Sequence, residues 1–531
     1  MLLPHSFSLL TRCIPSFISS RLVLPRNENL LMNRRLTVGL AAVLAIGACS
    51  DQQEPNTGNP VPGSEFASTS GTTRINVILK TAATAAQRTE LSKHGTIYDE
   101  IAQLQAVLMR VKADKIPAIR ALPFVESVGT DAERDIGPID LIEPGTTDFA
   151  GLNNVWNLDA INVTDKLSAG RKVAQDGSNV YVAVLDTGLL PSWKAYFPEA
   201  RIATQYAKSF GGGAGPTEDN VSEQPNKWEQ DTHSHGTHVA SIIIGYQYFA
   251  ASAGGFFRVD GVAPKATIIP VKVLNQSGSG WSSAIAKGIV YISDLAGTDG
   301  LLDGKRVVIN MSLGGSILDA VEQAALNYAA AHNVVIVASA GNSGPNGPMG
   351  FPGAFPSVIS VAAAGWTGEW NDPASNCSVL GSFDALLATR FWRQCDVVQE
   401  PYSESQLYIT AFSAKAEAGQ DLDVAAPGSW VVGPWQEQQG NISYFFVGGT
   451  SQSSPHVAGI VALMLQKNPN LASSAVEGIL EGAAAGLGGL DDLNQQVRPG
   501  PGLPLVTPPN WLADRSGSGF ITADAALTAT P

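Results

Sequence analysis

Tyr181-Val182-Ala183-Val184-Leu185-Asp186-Thr187-Gly188 is the stretch that decides the fold class. Five apolar residues follow one another without alternation, which marks a strand buried on both faces of a parallel-type sheet. The run delivers a carboxylate at its C-terminal end. Open α/β sheets place their chemistry at that edge. A second run of this kind, Val334-Val335-Ile336-Val337-Ala338, leads into Ser339-Ala340-Gly341-Asn342. The expectation is an α/β chain with a mainly parallel central sheet. Asp-Thr-Gly by itself decides little, since it also occurs in ordinary turns.

Outward from that strand, Asp231-Thr232-His233-Ser234-His235-Gly236-Thr237-His238-Val239-Ala240 places an imidazole at the start of an apolar helix. Three histidines so close together also suit a metal site, but no Cys or Glu joins them at ligand spacing. Asn342 ends a buried strand, where its amide can donate to a developing oxyanion. An Asn in such a place is equally a turn residue. Gly448-Gly449-Thr450-Ser451-Gln452-Ser453-Ser454-Pro455-His456-Val457-Ala458-Gly459 forces a tight turn before a helix that stays apolar through Leu463-Met464-Leu465. A hydroxyl there meets the positive end of the helix dipole, and alone it is a plain N-cap.

Asp, His and Ser in this chain order, all at element ends and with an Asn between His and Ser, is the subtilisin arrangement. The chain resembles the subtilisin-like serine proteases, or subtilases, over about residues 150–531. The match extends to Gly261-Val262-Ala263-Pro264, Val271-Lys272-Val273-Leu274, Asn310-Met311-Ser312-Leu313-Gly314-Gly315 and Val424-Ala425-Ala426-Pro427-Gly428. The resemblance implies a three-layer fold and a secreted endopeptidase. In it Ser451 is the nucleophile, His235 the base, Asp186 its orienting partner and Asn342 an oxyanion donor. It implies that His238 and His456 lie outside the triad, as packing and turn residues. It assigns Gly278, Ser279, Gly280, Ser312, Leu313 and Gly314 to the substrate cleft and Gly350 to the bottom of the primary pocket. No acidic residue stands at these matched positions, so the expected preference beside the cleaved bond is for uncharged, largely apolar side chains. Calcium is frequent in the family, yet no Asp-x-Asp-type loop assigns ligands here. Any metal ligands are therefore unknown, and the chemistry needs no cofactor. Between Ala364 and Asp421 the chain is longer than in compact subtilases. Cys377 and Cys395 in that stretch are close enough in sequence for one disulfide, or stand as two buried thiols.

Residues 74–134 carry a separate pattern. Strand-like runs at Arg74–Leu79, Thr96–Ile101, Ala106–Val111 and Phe124–Val128 alternate with helical stretches at Ala82–His94 and Ala113–Leu122. The order βαββαβ predicts a small α+β, ferredoxin-like module, similar to the inhibitory propeptide of many subtilases. Residues 135–150, with Gly137, Pro138, Pro144 and Gly145, are expected to be the exposed linker where self-cleavage occurs.

Further upstream, Met32-Asn33-Arg34-Arg35 precedes an apolar run too short to span a bilayer, reading as an export signal over 32–48. Cys49 follows it as in a lipoprotein lipobox, which makes Cys49 a candidate for acylation. Residues 49–73 have the Pro, Gly and Ser content of a flexible tether. Residues 1–31 read as an extension ahead of the true start at Met32. The catalytic domain then occupies 151–531.

Composition agrees with this class. The chain has 531 residues, 33 basic and 47 acidic, and a net charge of -14, which argues against nucleic-acid binding. Four cysteines do not make a disulfide scaffold. The expected partners are polypeptide substrates and the chain's own propeptide. Membrane contact is expected only through Cys49, and the enzyme is expected to be an exported monomer, either released or lipid-anchored. Competing readings are an inactive subtilase used for binding, a non-enzymatic lipoprotein, and an α/β-hydrolase. The last has the opposite order of triad residues and a G-x-S-x-G elbow.

Overall fold

The computed structural model describes residues 71–138, 141–144, 155–165, 168–211, 226–250, 255–366, 407–436, 442–485 and 513–531, all within one compact unit, 63–531. The expected extension (1–31), signal (32–48), lipidation site Cys49, nearly all of the tether, the Cys377–Cys395 pair and much of the linker 135–150 lie outside the described residues.

The main body is an eight-stranded sheet. Its strands run Lys208–Ser209, Thr267–Lys272, Val180–Asp186, Arg306–Met311, Val335–Ser339, Ile359–Trp366 and Leu407–Ile409, with Val424–Pro427 also paired to Ile359–Trp366. Every pairing in it is parallel except that of Leu407–Ile409. Val182 and Val184 pack into one apolar cluster, and Ala183 and Leu185 into another on the opposite face. That is why the quoted run shows no polar alternation. The first face is covered by His235–Ile244 and Thr450–Lys467, the second by Ser282–Ala296 and Ala320–Ala331. The chain is therefore a three-layer α/β fold.

The smaller module has Thr73–Leu79, Ala85–Ser92, Gly95–Ile101, Ala106–Val111, Ile116–Arg120 and Val125–Thr130 in the order βαββαβ. In space the second strand lies beside the third, the third beside the first and the first beside the fourth, all antiparallel. The second helical stretch is shorter than its sequence pattern: Ala113–Lys115 is a 3-10 turn and only Ile116–Arg120 is α-helical. Thr84 and Gln87 form a capping box that starts the first helix. One face of this sheet, with Ile75, Val77 and Leu79, closes over its own two helices. The other face, including Ile78, Ala106 and Leu108, joins the core of the surface helices Ser282–Ala296 and Ala320–Ala331. The module's second layer is thus completed by the main domain.

Candidate active site

Asp186 is the last residue of its strand, and His235 is the first of its helix. The turn leading into His235 is held by Asp231, whose Oδ1 accepts the His233 and Ser234 backbone N–H groups at 2.9 Å each. Ser234 adopts a left-handed conformation at φ 75, and these two bonds stabilise it. The Thr187 Oγ1 accepts the Gly236 N–H at 2.9 Å, tying the helix start to the strand end. Both Asp186 oxygens consequently reach His235 Nδ1, at 2.8 and 3.0 Å, with both side chains fully buried. A carboxylate on Nδ1 sets the tautomer that leaves Nε2 free to accept a proton. Among the described residues His235 Nε2 has no hydrogen-bond partner.

Ser451 lies in the first turn of Thr450–Lys467. Its hydroxyl donates to the Ser312 carbonyl at 3.2 Å, and the Ser312 hydroxyl donates to the Ser451 carbonyl at 2.8 Å. The Ser451 hydroxyl is therefore turned toward Ser312 and away from His235. Rotation about one side-chain torsion redirects a serine hydroxyl. Asn342 Oδ1 accepts the Thr450 N–H at 2.9 Å and the Thr450 hydroxyl at 2.8 Å. This fixes the amide so that Nδ2 points away from the helix, where it donates to the Pro138 carbonyl at 3.0 Å. Gly449 leaves room for the arrangement. A Cβ there would stand 2.9 Å from Gln452 Oε1 and 3.4 Å from Asn342 Nδ2.

The cleft residues are occupied by the chain itself. Glu133–Asp135 pairs antiparallel with Ser279–Trp281, placing Asp135 opposite Ser279 and Arg134 opposite Gly280. On the other side Asp135 and Gly314 exchange backbone hydrogen bonds of 2.8 and 2.9 Å, and the Ile136 N–H donates to the Gly278 carbonyl at 3.2 Å. The tail is thus a strand inserted between 278–281 and 314. Gly350 lies against Gly314 and Gly315, and its N–H donates to the Ala340 carbonyl at 2.9 Å. Leu313 is buried in the core below. Past Pro138 the chain continues as Leu141–Pro144, paired antiparallel with Tyr444–Gly448. Gly278, Ser279, Gly280, Gly314 and Asn342 therefore all meet the same inserted segment, 133–138.

Among the described residues no histidine joins a group able to share a metal ion. Among the described residues the group able to share an ion is Asp421, Asp423 and Glu477. His238 Nε2 meets the Val431 carbonyl at 3.1 Å, and His456 bonds the Gln452 carbonyl and the Asn157 amide. Burial pushes their pKa values down to about 3 and about 4, so both stay neutral. Lys272 is one residue whose role sequence reading did not resolve. It is buried and donates to the Thr187 carbonyl at 2.6 Å. Burial pushes its pKa down to about 8, opposed by Asp231 and Asp186.

Sequence reading also missed the seam between module and main domain. Trp281 cannot cap the helix Ser282–Ala296. Asp131 does so from the tail, accepting the Ser283 N–H at 3.0 Å while bonding Arg74 at 2.8 Å. Asp319 caps the neighbouring helix through Val321 and receives Asn76 Nδ2 at 2.8 Å. The absence of a capping residue before Ser282 was the available signal.

Compared with known families, residues 177–500 match the model described as the Subtilase family. Subtilisin DY of Bacillus licheniformis is 31% identical over 315 residues, covering 59% of this chain and 86% of that protein. The minor extracellular protease Epr of Bacillus subtilis strain 168 is 26% identical over 389 residues, covering 72% of this chain. This chain spans 47% of Epr's length, about half of it. Among solved structures, fervidolysin from Fervidobacterium pennivorans, titled a keratinolytic enzyme related to subtilisin, aligns with a TM-score of 0.56 at 22% identity. It covers 88% of this chain and 62% of its own, a likeness of fold.

Proposed function

This chain belongs to the subtilase family, and from that premise we propose that it is a serine endopeptidase made as a self-inhibited precursor. The observation that carries the reading is the Asn342 amide, held by Thr450 and donating to the Pro138 carbonyl at 3.0 Å, together with the buried Asp186–His235 pair. An extended peptide enters as the tail does, by strand addition. The Ser451 hydroxyl attacks the scissile carbonyl as His235 Nε2 takes its proton. His235 then returns that proton to the leaving amine. Asp186 holds the tautomer and stabilises the imidazolium. Asn342, with the Ser451 backbone N–H, stabilises the oxyanion.

Residues 74–134 act as the inhibitor, and the strand 133–135 blocks the cleft until the linker 135–150 is cut. An uncharged, largely apolar side chain beside the cleaved bond belongs to the same reading, with Gly350 at the bottom of its pocket. So do export by the 32–48 signal, anchoring or release at Cys49, a monomeric state and a structural calcium whose ligands are unassigned. Among the described residues no helix is long and apolar enough to cross a membrane. A fluorophosphonate probe applied to the purified protein should label Ser451, and Ser451→Ala should remain both unlabelled and unprocessed. Labelling that persists in Ser451→Ala, or processing of that variant in purified form, would overturn the assignment.

A further inference from the structure

We propose that Glu322 forms the floor of a specificity subsite that selects a substrate arginine at the place Arg134 now fills. The proposal rests on the peptidase reading above, because it treats the tail as a substrate analogue. Arg134 is a residue of an extended chain paired with both walls of the groove through itself and its neighbour Asp135. Its side chain leaves the groove and is completely buried.

The guanidinium is held as a fork. Nε meets Glu322 Oε1 at 3.2 Å and Nη2 meets Oε2 at 2.6 Å. Nη2 also donates to the Ile317 carbonyl at 2.9 Å, and Nη1 to the Glu133 carbonyl at 3.0 Å. Two carboxylate oxygens in one plane match a planar, five-donor cation better than a point charge. Gly315 makes the space. A Cβ there would lie 2.9 Å from Arg134 Nη1 and 2.4 Å from the Glu133 carbonyl oxygen.

Glu322 belongs to the main domain. It stands in the first turn of Ala320–Ala331 with its own N–H facing Asp319 Oδ1. It therefore stays behind when the tail leaves. Burial pushes its carboxyl pKa up, with Arg134 opposing. Losing Arg134 leaves the Glu322 carboxyl without its cation, a partner that an incoming arginine restores. A site built to bond a group discriminates strongly against analogues that lack it. The expected order is arginine, then lysine, then leucine, with glutamate last.

The test uses processed wild-type enzyme and peptides of one sequence. A single arginine is walked through the third to sixth residues before the cleaved bond, with leucine and glutamate in parallel, and mass spectrometry locates the bond. Arg134 lies three residues before Gly137 and four before Pro138. One position, the fourth or fifth before the bond, should show kcat/KM at least about tenfold higher with arginine than with leucine. Glu322→Leu should abolish that ratio, and Glu322→Asp should retain part of it. Equal rates at every position would overturn the subsite while leaving the peptidase reading intact, as would an arginine preference that survives Glu322→Leu. If Glu322→Leu fails to fold, the wild-type series alone decides. Cleavage of no peptide would overturn the peptidase reading, and the subsite with it.

Discussion

Asp186–His235 and Arg134–Glu322 are both hydrogen-bonded carboxylate pairs with fully buried side chains, yet they belong to different kinds of structure. The first joins a strand end to a helix start within one domain and is framed by Asp231, Thr187 and Lys272. The second joins the inserted tail to a helix of the main domain across 188 positions of sequence. Desolvation makes each pair costly to split. In the first, removal of the tail changes nothing about the partners. In the second, it separates them. On the proposed reading, the pair inside one domain belongs to a fixed reaction geometry, whereas the pair across the tail records what the groove accepts.

Three substitutions probe this contrast. The largest effect is expected for Asp186→Asn, which keeps the shape but takes the carboxylate from His235 Nδ1. Turnover should fall about 10⁴-fold with substrate affinity little changed, the scale of such losses in serine proteases of this type. A loss below tenfold would deny Asp186 its place in the triad.

Next comes Arg134→Ala, made in the unprocessed Ser451→Ala chain. It strands Glu322 in the seam, so denaturant unfolding of the precursor should show a loss of about 3–5 kcal/mol. An unchanged midpoint and slope would mean that water reaches Glu322 and that the pair is not a true interior contact.

The smallest effect concerns acids packed against one another rather than against a cation. Burial pushes Asp423 up to about 6, and burial with neighbouring carboxylates pushes Glu477 up to about 7. A carboxyl with a raised folded-state pKa holds its proton longer in the native state. Its contribution is complete below about pH 4 and is lost as pH rises through 6 to 7. Thermal unfolding midpoints should fall over that window, and Asp423→Asn should flatten the fall, a difference on the order of 2 kcal/mol. Parallel profiles for both proteins would sink this account.

Much of the fold was legible because unbroken apolar runs and the βαββαβ alternation are local patterns. Val182 and Ala183 had to face opposite helical layers once no polar residue separated them. Boundaries were less legible. The stretch from Ala113 to Leu122 began as a 3-10 turn because Pro117 near the helix start supplies no N–H. The site residues were legible as motifs, but Asp131, Asp319, Arg134 and Glu322 were not. Each is an ordinary charged residue in its own segment and acquires a role only opposite a segment far away.

The sequence by itself determined which side chains are the candidates for the chemistry, their order, and the strand ends and helix starts that hold them. Those follow from periodicity and turn chemistry within a few residues. Only the tertiary structure decided that the Ser451 hydroxyl rests on Ser312, that Asn342 meets the Pro138 carbonyl, and that Arg134 lies on Glu322. These depend on how separate segments dock, where desolvation and hydrogen-bond geometry select among partners that no local pattern distinguishes.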